Sequence, residues 1–216
     1  MKRNRSCEKM NKQYDAIIFD LDGTLWDPTA VCLKTWNEVI EKQGFKDELI
    51  TAEDLQRVLG LKFDLIADIL FPTLTDKEKK HLMEACIAHE NHYIRANGGD
   101  LYEPLEAILA SLIKTHRLFI VSNCQAGYIE SFLAYYKLES YFEDFECPGN
   151  TGLDKAQNIS LIMERNHLQA PIYVGDTDGD LQATKANDIP FFFASYGFGE
   201  VKQADVFLHK LSDLMI

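Results

Sequence analysis

Asp20 and Asp22 stand two residues apart at the end of the apolar run in IIFDLDGTLWD, residues 17–27. Alternate residues of a strand share a face, so both carboxylates project to one side if the extension persists. Two carboxylates held close repel, unless a cation lies between them or one keeps its proton. Mg²⁺ suits such a place. It takes oxygen ligands and works with few protein carboxylates plus phosphate oxygens and water. Gly23 and Thr24 come next and permit a sharp turn with exposed amides. Taken alone, the pair is also what an acidic surface turn looks like.

A second acidic group changes that balance. YVGDTDGDLQATK, residues 173–185, is again an apolar strand followed by Gly175, Asp176, Asp178 and Asp180. An EF-hand loop needs Gly at its sixth position and Glu at its twelfth. Counted from Asp176, Gly179 falls fourth and Asn187 twelfth, which excludes that reading. Two strand-end clusters in one parallel sheet fit one shared metal site better than two. Ser122 and Asn123 end another strand in FIVSNCQAG, where a hydroxyl and amides at a helix N-terminus can bind phosphate oxygens. Lys155 opens a helix in TGLDKAQNI. A cation there opposes the helix dipole, so a charge partner in a site accounts for it. Considered singly, an ordinary solvated lysine does too.

The elements that must carry these residues alternate between short apolar runs and helical patterns. Candidate strands lie at 15–19, 118–122, 144–147, 171–175, 190–194 and 205–208, with helices around 104–115, 126–137, 154–167 and 179–187. Continuous apolar strands joined by crossover helices predict an α/β fold, a doubly wound Rossmann-like parallel sheet covered on both faces. Between Pro28 and Gly99 no strand is convincing. Helices are expected near 29–43, 51–59, 63–70 and 75–97, the last opened by a capping box of Thr75 and Glu78. The organisation read from this is a frayed tail over 1–13, a core of 14–27 plus 100–216, and an inserted all-helical cap over 28–99. An insert that leaves just after a strand's C-terminal end sits over the crevice where open α/β sheets bind ligands.

Composition narrows the partners. With 22 basic and 34 acidic residues the net charge is −12, which argues against non-specific nucleic-acid binding. A small phosphorylated substrate is compatible, because a metal ion and a few local cations neutralise it. The five cysteines are irregularly spaced with no C-x-x-C pair, which reads as free thiols in a reducing compartment. The basic start MKRNRSCEKMNKQ has no apolar stretch of signal-peptide type, and no run approaches the ~20 residues of a membrane span. A cytoplasmic protein is expected. A monomer is the default, since nothing marks an interface.

Taken together, Asp-x-Asp-Gly-Thr-Leu at 20–25, Ser122, Lys155 and Gly-Asp-x-x-x-Asp at 175–180 resemble the motifs of the haloacid dehalogenase superfamily, in order and each at a suitable strand end or helix start. The insert resembles that superfamily's first cap type, and the whole looks like its phosphoglycolate-phosphatase-like members. The resemblance implies Asp20 as nucleophile, forming an aspartyl-phosphate, and Asp22 as general acid and then base. It implies Mg²⁺ held by Asp20, the Asp22 carbonyl and Asp176, with Asp180 acting through water or orienting Lys155. Ser122, Asn123, Lys155, Gly23 and Thr24 would surround the phosphoryl group. Because relatives without the second acid look like dehalogenases or phosphonatases, Asp22 points to phosphomonoester hydrolysis. A phosphosugar mutase resembling β-phosphoglucomutase uses the same motifs and stays open, as does a phospho-acceptor or binding protein without turnover.

Two departures are visible. Ala156 comes after Lys155 where relatives often carry Pro, and Trp26 is bulky for a cap hinge, where it either packs in the core or walls the substrate pocket. VLGLKFD, residues 58–64, resembles the cap loop that dips toward the site, with Lys62 a candidate contact for a substrate carboxylate or second phosphate and equally a solvated lysine. On the last cap helix His81 and His92, eleven apart, share a face and His89 and His92 stand at i, i+3, but that pair lacks a third ligand, so ordinary surface histidines are the favoured reading.

Overall fold

The structure is a computed structural model and describes residues 14–61 and 63–215. Six short strands form one parallel sheet: β1 (Ala16–Phe19), β4 (Arg117–Val121), β5 (Asp144–Glu146), β6 (Pro171–Gly175), β7 (Phe191–Ala194) and β8 (Val206–Leu208). Their order is β5-β4-β1-β6-β7-β8, with every neighbour parallel. This is the α/β architecture that the apolar runs predict, and the strand bounds agree within a residue or two.

The reason for continuous apolar strands is visible in β1. Ile17 and Phe19 pack into one cluster, Ala16 and Ile18 into another on the opposite face, and all four are buried. A strand buried on both sides has no polar face to alternate. Helices α5 (Leu105–Leu112) and α6 (Tyr128–Tyr136) cover the first face. Helices α8 (Lys155–Arg165) and α9 (Asp178–Ala186) cover the second. The short α7 (Pro148–Thr151) comes after β5. β1 sits between β4 and β6, so the C-terminal ends of these three strands meet at one mouth. That is the topological position for a ligand crevice in this kind of sheet.

Between β1 and β4 the chain makes four helices: α1 (Thr29–Lys42), α2 (Ala52–Gln56), α3 (Phe63–Leu70) and α4 (Asp76–Asn97). They pack around a cluster of their own, which includes Trp36, Ile40, Leu55, Phe71 and Leu82. Thr75 and Glu78 form the reciprocal capping box of α4 that their spacing predicts. Helix α2 is shorter than the pattern suggests. After Gln56 the chain passes through turns to Gly60, whose φ of +81° no helix allows. Where the insert leaves and returns, a two-residue antiparallel ribbon joins β2 (Trp26–Asp27) to β3 (Asp100–Leu101). Four residues carry too little periodicity to be read as a ribbon in advance. Val31 and Ile94, at the root of the insert, belong to the same apolar cluster as α5 and α6.

Candidate active site

The regular strand ends at Phe19, yet the Asp20 N–H still donates to the Val174 carbonyl at 2.8 Å. Asp20 is thus pinned at the edge of the sheet, 2% exposed. Its Oδ1 accepts the Leu21 N–H at 2.8 Å, and its Oδ2 lies 3.0 Å from the Lys155 Nζ. The chain then turns, and the same-face argument no longer positions Asp22. The Asp22 Oδ1 instead accepts the Trp26 Nε1–H at 2.7 Å and the Tyr128 hydroxyl at 2.9 Å. The two acids share a mouth but have separate partners. Gly23 makes the turn with φ +77°, and a Cβ there would lie 2.1 Å from the Asp176 Oδ2, so only glycine fits. Thr24 is fully buried, its carbonyl accepting the Tyr196 hydroxyl at 2.9 Å.

The acids after β6 are arranged differently. Asp176 is fully buried, and its Oδ2 accepts the Phe198 N–H at 2.8 Å. Its Oδ1 is buried with no hydrogen-bond partner. Asp180, in the first turn of α9, is fully engaged. Its Oδ2 accepts from the Thr177 hydroxyl at 2.7 Å and from the N–H groups of Thr177 and Asp176, at 2.9 and 3.1 Å. Its Oδ1 accepts from Lys155 at 2.6 Å. The Thr177–Asp180 pair is a capping box, so the same carboxylate that caps a helix also aims a lysine.

Lys155 bridges the two groups, 5% exposed between Asp20 and Asp180. Burial alone pulls a lysine's pKa down, but these two carboxylates outweigh it and hold the ammonium well above its ordinary range. The acids move the other way. Burial, then the proximity of Asp180, raises Asp20 to about 6 against the opposing pull of Lys155 and the Ser122 hydroxyl. Burial and Asp20 raise Asp22 to about 7. Burial, Asp20 and Asp180 raise Asp176 to about 8.

One carboxylate oxygen from each of Asp20, Asp176 and Asp180 lies within 4.8 Å of the others, and among the described residues this is the one such group with metal-holding potential. The unsatisfied Asp176 oxygen and the all-oxygen donor set fit a hard cation such as Mg²⁺. The histidines of α4 form no comparable group, and His89 pairs with Glu38 at 2.7 Å.

Ser122 is buried beside Asp20. Asn123 turns toward the insert, its Nδ2 donating to the Gly60 carbonyl at 3.1 Å. The loop of residues 58–61 therefore does reach the mouth of the sheet, while Lys62 lies outside the described residues. Trp26 is fully buried against Tyr128 and Phe132 and also holds Asp22 through its indole N–H, so it is a core residue and a site residue at once. Burial pushes the Cys124 thiol far above its usual range, which suits packing and not reactivity. Tyr128, Phe198 and Gly197 were not legible as site residues. Gly197 is packed so closely that a Cβ would lie 2.4 Å from the Asp176 Cβ. A Gly-x-Gly after β7 was the available signal for that loop. Nothing in the sequence marked Tyr128.

With this geometry established, comparison with known proteins gives the class. The sequence matches the haloacid dehalogenase-like hydrolases over residues 17–194, and the chain belongs to that family. It is a phosphatase-like member. It is 24% identical over 196 residues to a phosphoglycolate phosphatase of Aliivibrio fischeri, covering 84% of each chain. It is 23% identical to the pyrophosphatase PpaX of Listeria monocytogenes over 220 residues, covering 95% of this chain and 97% of the other. The fold matches the crystal structure of a predicted phosphoglycolate phosphatase from Haemophilus somnus with TM-score 0.83, 16% identity, and coverage of 94% and 97%. No helix among the described residues is long and apolar enough to cross a membrane.

Proposed function

We propose that this protein is a Mg²⁺-dependent phosphatase of small phosphomonoesters, working through an aspartyl-phosphate on Asp20. The observation that carries the reading is the division of labour among the carboxylates. Asp20 lies between a buried lysine and Asp176, while Asp22 is held apart by Trp26 and Tyr128. An Asp20 oxygen attacks phosphorus, and the bond to the ester oxygen breaks as that oxygen takes the Asp22 proton. Asp22, now ionised, takes a proton from water. The water attacks the phosphoryl group, phosphate leaves, and the Asp20 carboxylate is restored. A carboxyl with a pKa of about 7 is suited to both transfers at neutral pH.

Lys155 and Ser122, with the amides around Gly23, Thr24 and Asn123, stabilise the charge on the transferring oxygens. Asp180 serves as the positioning residue for Lys155, since its oxygens are already committed to Lys155 and the start of α9. Asp20, Asp176 and the Asp22 carbonyl would hold Mg²⁺. When bound, the ion supplies positive charge where carboxylates and phosphate crowd together. Residues 28–99 act as the cap over a core made of 14–27 and 100–216.

The test is phosphate release from a panel of small phosphomonoesters, with Mg²⁺, with EDTA, and with Asp20→Asn. Metal-dependent release that Asp20→Asn abolishes is expected. Isomerisation of a sugar phosphate without phosphate release would move the reading to a mutase. A stable phosphoprotein without turnover would move it to a phospho-acceptor.

A further inference from the structure

The mouth of the sheet has a second side, facing the insert. Asp22 borders a cavity of about 40 Å³ closed by α1, α4 and the loop of residues 58–61. A water needs ~10–15 Å³ of such space, so there is room for about three water-sized groups. On the phosphatase reading above, the part of the ester whose oxygen takes the Asp22 proton lies on this side, and the phosphoryl group on the other, against Asp20 and Lys155.

The polar lining is one-sided in charge. Glu90, on α4, is 1% exposed and faces this cavity with Asp22. It accepts from the Cys32 thiol at 2.9 Å, from the Gln125 Nε2 at 3.0 Å and from the Trp36 indole. Burial raises the Glu90 pKa, and the three donors converging on its two oxygens oppose that shift by favouring the ionised form, which only accepts. The Tyr128 hydroxyl is engaged by Asp22 and the Trp36 indole by Glu90. The Asn123 Oδ1 is buried with no partner, because its amide nitrogen is turned to Gly60. Among the described residues that line the cavity there is no Lys, Arg or His. The leaving-group side thus offers the Glu90 carboxylate, the Asp22 carboxyl that gives up its proton, and an unused carbonyl acceptor.

We infer that this cavity is a leaving-group subsite that selects small groups bearing a hydrogen-bond donor and no negative charge, such as a short polyol or an amino alcohol, with Glu90 as its specificity-determining residue. The inference rests on the phosphatase reading above and narrows it. It also separates this chain from the relatives it resembles. Phosphoglycolate presents a carboxylate at this point and pyrophosphate a second phosphate. Either would meet Glu90 with like charge in a desolvated place, which is costly.

The experiment uses three esters of similar size: phosphoglycolate, 2-hydroxyethyl phosphate and phosphoethanolamine. The kcat/KM of the wild-type protein is expected to favour the last two by on the order of 10²-fold, and Glu90→Gln to shrink that ratio chiefly by lowering KM for phosphoglycolate. Binding of the same esters to Asp20→Asn by calorimetry needs no turnover and should give the same order. Equal or preferred use of phosphoglycolate by the wild type overturns the inference and leaves the phosphatase reading intact. Loss of that preference in Lys62→Ala would then identify the cation responsible. Absence of turnover with the binding order retained overturns the phosphatase reading and leaves the subsite. The wild-type ratio alone decides the matter if Glu90→Gln does not fold.

Discussion

The acids after β1 and those after β6 look alike in sequence, each at the end of an apolar strand, yet they do opposite things. Asp20 and Asp22 part company. One stays at the sheet edge with Lys155, and the other swings to Trp26 and Tyr128 beneath the insert. Asp176 and Asp180 stay together, the second accepting from the Asp176 N–H and the start of α9 at its Oδ2 and from Lys155 at its Oδ1. The difference lies in the element that succeeds each strand. After β1 comes a glycine turn and a change of direction. After β6 comes a helix, whose first-turn geometry points Asp180 back at its own strand. Spacing between acids therefore does not define their roles; the element that carries the second acid does.

The sharpest way to break this comparison is to remove one acid from each pair. Asp20→Asn should cost about 10⁴-fold or more in phosphate release, as loss of a nucleophile does. Asp22→Asn should cost roughly 10²–10⁴-fold on alkyl phosphates, the range of general acid–base catalysis, and clearly less on p-nitrophenyl phosphate, whose leaving group needs little protonation. Equal losses on both esters would remove Asp22 from that role.

Lys155→Met tests what joins the two pairs. It leaves Asp20 and Asp180 buried without their cation, so unfolding in denaturant should show a loss of about 3–5 kcal/mol, alongside lost activity. Asp180→Asn should cost less activity than Asp176→Asn, since it disturbs the lysine's aim and keeps the acid that carries the unsatisfied oxygen.

The pH dependence of stability is the next smaller effect. Asp20, Asp22 and Asp176 have folded-state values of about 6, 7 and 8, all raised from 3.8. For a raised acid the native state binds more protons than the unfolded one between the two values, so stability falls as pH rises through that window. The Tm of the EDTA-treated protein is expected to drop between about pH 4 and pH 8, and Mg²⁺ to flatten the profile. A flat profile in EDTA would contradict the crowded-carboxylate picture. Smallest of all, Trp26→Phe removes a donor that holds the Asp22 pKa down, so the alkaline limb of kcat should move to higher pH with a loss of about fivefold.

Much of this protein was determined by sequence alone. Two-sided burial forces unbroken apolar strands, so the sheet could be read, and the acids had to fall at strand ends because the strands β1 and β6 are buried throughout. Capping residues announced α4, and Gly23 announced a turn. Lys155 against its helix dipole signalled a partner elsewhere. Tertiary structure alone decided which oxygens meet. The strand order that sets β1 between β4 and β6 brings Asp20 to Asp176 and Asp180 from opposite ends of the chain, and no local pattern records that. It also decided that Trp26 and Tyr128 steer Asp22, that Phe198 and Gly197 close over Asp176, and that Glu90 lines a cavity with Asp22. Those residues are apolar, aromatic, small or helical in the sequence, indistinguishable from packing. Their effect comes from distance and desolvation, which exist only once the insert lies on the sheet.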